Sequence, residues 1–242
     1  LLTNSQSDIN FEDHAYDVVL SSNNEKQDLK FNFTYSSLTS PESIYSYDLK
    51  ENKSNLLWQK NIVGFDANNY EDKRLFVEVR DGTSVPVIFL SRLDINLNEA
   101  PILFYGYGSY GINIDATFRS SILPLIDRGF VFAIINVRGG GEMGKHWYEE
   151  GRLLNKLNTF NDFNDVVMAV LNKNIGNSKK VFARGGSAGG LLMGAIMNLE
   201  PTLYKGILSG VPFVDVLTTM SDPTIPLTTF EYGEWGNPAN LD

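Results

Sequence analysis

Residues 185–189 read Gly-Gly-Ser-Ala-Gly, and this segment constrains the possible folds more than any other in the chain. It matches the G-x-S-x-G pattern, in which a serine lies on a sharp turn between a strand and a helix. The apolar run at residues 181–183 fits such a strand, and the good helix formers from Leu191 onward fit the helix. Glycines two residues either side of Ser187 let strand and helix approach closely around a strained turn. The segment therefore predicts a strand–turn–helix unit that exposes the Ser187 hydroxyl as a nucleophile.

A chance match is the alternative interpretation of this pentapeptide, because the chain contains 21 glycines. Chance does not explain the buried type of strand before the turn or the apolar helix after it. The helix would also direct its positive N-terminal end at an oxyanion formed beside Ser187. We therefore favour the functional turn.

The composition excludes several classes of protein. A hydrophobic fraction of 43% indicates a filled globular core, and the lack of cysteine excludes disulfide scaffolds and thiolate chemistry. The net charge of −9 leaves no basic face for nucleic acid. No apolar run approaches the roughly 18 residues that span a bilayer, and no signal peptide follows Leu1, so a membrane is not an expected partner. Without an initial Met, we expect the sequence to begin inside a longer chain.

Residues 1–60 are β-rich. After an opening loop at residues 1–15, four strand-like runs occur at residues 16–20, 30–38, 43–49 and 55–60. Phe31, Phe33 and Tyr35 alternate with polar residues, as a half-buried strand requires. Four strands in about 45 residues are typical of one propeller blade, so we expect the last blade of a β-propeller here. An isolated antiparallel meander packed on the next domain is the alternative.

Residues 61–73 read as a linker, and the pattern then changes to alternating strands and helices. The predicted strands are 74–80, 85–91, 101–105, 130–137, 181–183 and 206–209, with helices at 118–127, 158–174 and from 191 onward. Asp81-Gly82 predicts a hairpin between the first two strands. The continuous apolar run at residues 130–137 is typical of a central parallel strand covered on both faces. This order predicts an α/β domain with a mostly parallel sheet.

A second glycine-rich segment, YGYGSYG at residues 105–111, follows a predicted strand. Its G-x-G-x-x-G spacing is by itself a weak dinucleotide-binding signal. The next strand ends in Asn136 and Val137 rather than in a ribose-binding acid, which argues against a nucleotide. In an α/β-hydrolase sheet, the loop at this position supplies a second oxyanion donor, and a tyrosine hydroxyl can fill that role. Tyr107 is the candidate, with aromatic packing at a strand end as the alternative.

Seven strings spread over residues 64–238, several of them long and unusual, can be compared with known families. They are GFDANNYEDKRLFVEVRDG (64–82), YGYGSYG (105–111), DRGFVFAIINVRGGGEMG (127–144), NTFND (158–162), GGSAGGLLMG (185–194), VPFVDVLTTM (211–220) and, within residues 225–238, IPLTT, EY and EWGNP. Together they resemble the prolyl oligopeptidase family of serine peptidases, and within it the oligopeptidase B branch. The resemblance implies an α/β-hydrolase domain, capped by a seven-bladed propeller that restricts access to short peptides.

We therefore expect residues 74–242 to be the N-terminal part of an incomplete α/β-hydrolase domain, preceded by the propeller remnant. The resemblance also implies short peptide substrates, a cytoplasmic location, and neither a cofactor nor a metal. By the same resemblance, Ser187 is expected to be the nucleophile that is acylated. The oxyanion would be held by the Ala188 N–H and the Tyr107 hydroxyl.

The resemblance also assigns a pocket for the substrate side chain that precedes the cleaved bond, the P1 side chain. Tyr110 matches an aromatic position bordering it, and Glu231 matches the first of two acids that meet a P1 Arg or Lys. The second acidic position falls on Gly233, so binding of a guanidinium should be weaker. Without the resemblance, Glu231 and Glu234 would be interpreted as surface charges.

The catalytic base is expected outside this sequence. In α/β-hydrolases the order is Ser, then Asp or Glu, then His, whereas His14 and His146 both precede Ser187. Each is better explained as a surface histidine. The resemblance places the Asp and the His beyond residue 242, so we expect negligible peptidase activity from these residues alone.

Three functions remain open at this point. The leading one is a serine oligopeptidase that cleaves short peptides after Arg or Lys through an acyl-enzyme. Prolyl specificity or esterase activity on the same fold is the second, although an apolar P1 floor would then be expected in place of Glu231. A hydrolase-like interaction protein without catalysis is the third, and the intact glycines around Ser187 argue against it.

Overall fold

The chain, described here by a computed structural model for residues 8–22 and 29–240, contains two sheets within those residues. The first is antiparallel, in the order β1 (Tyr16–Leu20), β2 (Lys30–Ser37), β3 (Ser43–Asp48) and β4 (Lys53–Gln59). The four predicted strands are confirmed, with ends shifted by no more than two residues. The predicted loop at residues 1–7 and the turn at residues 23–28 lie outside the described residues.

Aromatic packing stabilises the first sheet. Phe33, Tyr35 and Tyr47 are buried together, as the alternation along β2 predicts. Residues 8–15 form neither helix nor strand, and Asp13 attaches them to the sheet by accepting hydrogen bonds from the Tyr35 hydroxyl and from Thr39 Oγ1.

The second sheet has six strands in the order β10-β9-β7-β8-β6-β5. They are β5 (Tyr70–Glu78), β6 (Ser84–Arg92), β7 (Ile102–Tyr105), β8 (Val131–Ile135), β9 (Val181–Gly186) and β10 (Gly206–Gly210). The pairs β7–β8, β7–β9 and β9–β10 are parallel, whereas β5–β6 and β6–β8 are antiparallel. The expectation of a mostly parallel sheet, with a hairpin at its start, is confirmed.

Helices lie on both faces of this sheet. They are α1 (Leu123–Ile126), α2 (Lys145–Glu149), α3 (Lys156–Asn172), α4 (Ala188–Leu199), α5 (Val216–Ser221) and α6 (Tyr232–Trp235), with 3-10 turns at Ala67–Asn69, Leu153–Asn155 and Thr228–Phe230. Within the described residues, none of them has the length and apolar content needed to cross a membrane.

Two apolar cores explain why β8 is apolar at every position. Ala133 and Ile135 pack on one side with residues of α3 and α4 such as Phe163 and Leu192. Phe132 on the other side packs with α1. Because both faces of the strand are covered, it has no polar alternation, as predicted for a central strand.

Two predicted boundaries are wrong. Strand β5 begins at Tyr70, inside the predicted linker at residues 61–73. Tyr70 pairs with Arg92 and stacks on Phe65 at 5.0 Å between ring centroids. Asp72, which looked like a linker residue, is buried because its carboxylate accepts hydrogen bonds from the backbone of residues 14 and 15.

The helix predicted at residues 118–127 is also shorter than expected. Its first turn begins only at Leu123, with Pro124 in the position near a helix start where proline is favoured. The preceding residues serve a different contact, since the Phe118 N–H donates to Ser36 Oγ on β2 at 3.0 Å. This contact joins the segment before α1 to the first sheet.

Candidate active site

Ser187 is the single residue between the end of β9 and the start of α4. Its φ of 57° and ψ of −120° are strained for a residue with a side chain. A β-carbon on Gly185 would lie 2.3 Å from the carbonyl oxygen of Gly189, so the predicted reason for these glycines is confirmed. The Ser187 side chain is exposed, and the N–H of Ala188, as the first residue of α4, has no partner inside the helix.

Tyr107, in the loop after β7, packs against this turn. A β-carbon on Gly189 would be 2.8 Å from the Gly106 carbonyl oxygen and 3.2 Å from Tyr107 Cδ2, so the loop after β7 packs directly against the first turn of α4. Burial raises the pKa of the Tyr107 phenol, while hydrogen bonding to Ser187 acts in the opposite direction. The phenol is therefore a neutral O–H donor next to the serine at physiological pH.

The glycine spacing of residues 106–111 serves packing. Gly108 has a φ of 71°, and a β-carbon there would lie 2.4 Å from Thr159 Cγ2. The segment that follows, residues 112–119, contains no helix whose N-terminus could hold a pyrophosphate. Both observations agree with setting aside the dinucleotide interpretation.

A cleft of about 280 Å³ connects Ser187 with two other predicted site residues, Tyr110 and Glu231. Glu231 Oε2 accepts hydrogen bonds from the Tyr110 hydroxyl at 2.8 Å and from Trp235 Nε1 at 3.0 Å. Burial and this carboxylate together raise the pKa of Tyr110. The structure thus brings Ser187, Tyr110 and Glu231 to one cleft, with Phe213 and Met220 among its apolar lining residues.

Glu234, interpreted from sequence alone as a surface charge, is buried. Only 3% of its surface is exposed, and it accepts hydrogen bonds from the Tyr110 N–H at 3.1 Å and from the Tyr148 hydroxyl at 2.7 Å. The interpretation as a surface charge is wrong because this carboxylate is buried by hydrogen-bond donors that lie far away in the sequence. Gly233 is exposed beside it, and no atom of the described residues lies within 4 Å of where its β-carbon would be.

Lys156, at the start of α3, was not singled out from the sequence. Its Nζ donates to the Gly108 carbonyl at 2.5 Å and to Ser109 Oγ at 2.7 Å. Burial lowers its pKa to about 8, and the carboxylate of Glu234, 3.9 Å away, opposes that shift. No local pattern marks this lysine, since its partners lie in the 105–111 loop and in α6.

The two histidines lie away from the serine. His14 is 63% exposed, and its Nδ1 is 3.4 Å from Asp72 Oδ1. His146 is exposed on α2 beside Trp147. Neither is among the residues that line the Ser187 cleft, which agrees with interpreting both as surface histidines.

A buried carboxyl group behind the 105–111 loop provides a pH-dependent test of the fold. The Oε2 atom of Glu142 is buried and has no hydrogen-bond partner among the described residues, and burial raises the pKa of this carboxyl despite the opposing charge of Arg74. The folded protein therefore binds this proton more tightly than the unfolded chain. The resulting stabilisation is present at low pH and is lost as pH rises from the usual glutamate range through the raised pKa.

Replacement of Glu142 by glutamine is expected to raise the free energy of unfolding at pH 7 and to leave it unchanged at low pH. Glutamine resembles the protonated acid and cannot ionise. Urea unfolding from pH 4 to pH 8 measures the difference between variant and wild type, with exposed Glu99→Gln as the control. A constant difference across this range would contradict the interpretation.

Comparison with known proteins identifies the relatives of this chain. Residues 116–242 match the prolyl oligopeptidase family. The chain is 46% identical over 229 residues to dipeptidyl aminopeptidase BI of Pseudoxanthomonas mexicana, covering 94% of this chain and 32% of that protein. It is 40% identical over 233 residues to protease 2 of Moraxella lacunata, covering 95% and 34%. Oligopeptidase B from Leishmania major matches with a TM-score of 0.87 and 41% identity, covering 96% and 33%.

The second sheet, with a serine turn between β9 and α4, defines an α/β-hydrolase type of fold. The first sheet corresponds to the β-rich part expected before it. The chain belongs to the prolyl oligopeptidase family of serine peptidases. It spans about a third of the length of the relatives that it matches.

Proposed function

We propose that this chain carries the nucleophile of a serine oligopeptidase that hydrolyses short peptides after Arg or Lys. One observation carries the proposal: an exposed Ser187, held at a φ of 57° at a strand–helix turn, has the Tyr107 phenol packed beside it. A turn of this kind presents a hydroxyl for attack, and a phenol and a helix N-terminus beside it suit a developing oxyanion.

In the proposed mechanism, a histidine from outside these residues removes the Ser187 proton. The oxygen attacks the peptide carbonyl carbon, and the negative charge on the carbonyl oxygen is stabilised by the Ala188 N–H and the Tyr107 hydroxyl. Collapse of the tetrahedral intermediate expels the amine, which takes the proton from the histidine. Water then hydrolyses the acyl-enzyme by the same steps.

We also propose the division of the chain. Residues 1–60 are the last propeller blade, residues 61–69 are a linker, and the catalytic part begins with β5 at Tyr70. The 242 residues alone are proposed to lack peptidase activity, because neither histidine lines the cleft. A cytoplasmic location stays part of the proposal.

The proposed function is tested by reacting the protein, expressed from its complete reading frame, with a fluorophosphonate and mapping the labelled peptide. Label on Ser187 is expected, because the probe reacts with activated serines. A protein that stays unlabelled, or that carries the label elsewhere, would exclude Ser187 as the nucleophile.

Specificity for a basic P1 residue rests on Glu231, whose carboxylate lines the Ser187 cleft. Glu231→Gln is expected to lower kcat/KM for a peptide substrate with P1 Arg by about 10- to 100-fold, because a charge-assisted hydrogen bond contributes roughly 1.5–3 kcal/mol. The same change should affect a substrate with P1 Ala far less. Equal losses of kcat/KM for both substrates would contradict the assignment of Glu231 to the P1 pocket.

A second candidate, release of dipeptides from a free N-terminus, is favoured by the 46% identity to a protein named dipeptidyl aminopeptidase BI. Paired peptides that differ only in an acetylated N-terminus distinguish the two functions. Equal cleavage of both supports the oligopeptidase, whereas cleavage of the free peptide alone supports the aminopeptidase. A P1 Pro substrate, included in the same series, tests the prolyl alternative.

A further inference from the structure

The loop that carries Tyr107 has a left-handed backbone that is strained at Tyr110. Gly108, Tyr110 and Gly111 have φ values of 71°, 60° and 63°, so three of four consecutive residues are left-handed. For Tyr110, a residue with a side chain, such a conformation is strained and persists only where the surroundings enforce it. Residues 108–110 directly follow Tyr107, so the contacts that hold their backbone also determine where the Tyr107 hydroxyl lies.

A lysine from α3 holds the first two of these residues. Lys156 Nζ donates to the carbonyl of Gly108 and to the hydroxyl of Ser109, at 2.5 and 2.7 Å. Its side chain is 14% exposed, and the ammonium group lies 5.2 Å from the centre of the Trp235 ring. A buried ammonium retains its charge only with compensation, which here comes from these acceptors, the ring and a carboxylate.

That carboxylate, Glu234 in α6, holds the third residue. Its Oε1 accepts the N–H of Tyr110 at 3.1 Å and lies 3.9 Å from Lys156 Nζ, while its Oε2 accepts the Tyr148 hydroxyl at 2.7 Å. The ion pair thus contacts residues 108, 109 and 110 from two elements that are far apart in the sequence. None of these contacts occupies the cleft in front of Ser187, since neither member of the pair lines it.

We propose that Lys156 and Glu234 form a positioning pair, which holds the Tyr107 hydroxyl where the oxyanion forms without contacting the substrate. The inference rests on the proposed function, because Tyr107 needs a position only if Ser187 is acylated. It assigns a kinetic role to two charges that would otherwise serve stability alone. Loss of either charge should slow acylation through Tyr107, and it should leave unchanged the binding of a small ester that does not fill the pocket beside Tyr110.

A double-mutant cycle on the protein expressed from its complete reading frame tests the pair, with the rate of fluorophosphonate labelling as the readout. Tyr107→Phe is expected to slow labelling by about 100-fold, as for loss of an oxyanion donor. Lys156→Met is expected to slow it by about 10- to 100-fold, the size of effect that misplacing a catalytic group can produce. The double variant should be no slower than the slower single variant, because both changes remove one interaction.

Steady-state kinetics on a small ester gives a second readout. A positioning role predicts a lower kcat with KM unchanged. Glu234→Gln, which keeps an acceptor for the Tyr110 N–H but removes the charge, should reduce kcat in the same direction and decides the question if Lys156→Met does not fold. Tyr204→Phe, which removes the hydrogen bond to Asn164 away from the cleft, is the control for a general loss of stability and should label at the wild-type rate.

Two kinds of failure are distinguishable. If the wild-type protein is not labelled at Ser187, the proposed function and the positioning role fail together. If wild type is labelled, but the folded Lys156 and Glu234 variants react within twofold of it, only the positioning role is overturned. Multiplication of the Lys156→Met and Tyr107→Phe effects in the double variant would overturn it as well.

Discussion

Replacement of Ser187 by alanine is expected to lower kcat for a P1 Arg peptide by about 10⁶-fold in the protein expressed from its complete reading frame. Alanine removes the oxygen that is proposed to form the acyl-enzyme and leaves the Ala188 N–H and the Tyr107 hydroxyl in place. A residual acceleration of roughly 10³-fold over water is therefore expected to survive. Steady-state hydrolysis by wild type and variant at known protein concentration, compared with the uncatalysed reaction, measures both quantities.

Ser209→Ala is the matched control for this change. Ser209 lies on β10, next to the serine turn, and its Oγ donates a hydrogen bond to the Gly190 carbonyl at 3.3 Å. Its removal should leave kcat within a few-fold of wild type. If Ser187→Ala kept more than about one part in a hundred of the activity, the nucleophile would have to be another residue, because a lost covalent step costs far more.

The strained backbone at Ser187 lowers the stability of the fold, so a substitution there can abolish function and still stabilise the protein. Glycine tolerates a φ of 57° without a steric penalty, whereas serine does not. Ser187→Gly should therefore abolish turnover and yet raise the free energy of unfolding by about 1 kcal/mol. An unchanged or lower stability would mean that the surrounding contacts, rather than the residue, determine this conformation.

Local sequence patterns predicted the parts of the fold that depend on neighbours in the chain. The glycines around Ser187 are required by a contact between residues four apart, so the pentapeptide alone reveals the turn. The apolar run that becomes β8 likewise reveals a strand covered on both faces. Tyr107 was a candidate oxyanion donor because of the place of its loop after a strand, and the family resemblance assigned it that role, which stays a prediction. Its loop packs directly against α4.

Charged residues with distant partners could not be predicted in this way. Asp72 was interpreted as part of a linker and Glu234 as a surface charge, yet both are buried by partners more than 50 residues away. Burial of a charge depends on which groups the tertiary fold brings near it, and a single sequence contains no periodicity that marks such a pair. The Lys156–Glu234 pair could not be predicted from the sequence for the same reason.

Removal of Asp162 is expected to lower the free energy of unfolding by about 3–5 kcal/mol. Asp162 is fully buried on α3 and accepts from Arg138 Nε at 2.9 Å, from Nη2 at 2.6 Å and from the backbone N–H at 3.1 Å. Asp162→Ala leaves the guanidinium, whose side chain is 5% exposed, without its principal partner. Asp81, at 2.8 Å, retains part of the pairing and should place the loss in the lower half of that range.

Asp165→Ala is the control, because Asp165 lies one turn further along α3 and binds Arg80 through the same two-pronged geometry, at 2.8 and 2.6 Å. The Arg80 side chain is 52% exposed, so water replaces the lost partner and the expected cost is about 1 kcal/mol. Urea unfolding of the two variants measures the contrast. The double variant Arg138→Met/Asp162→Leu should recover most of the loss, because a buried ion pair replaced by apolar groups costs far less than one left half-broken. If the double variant were as unstable as Asp162→Ala, the cost would arise from packing of the loop after β8 rather than from the unpaired charge.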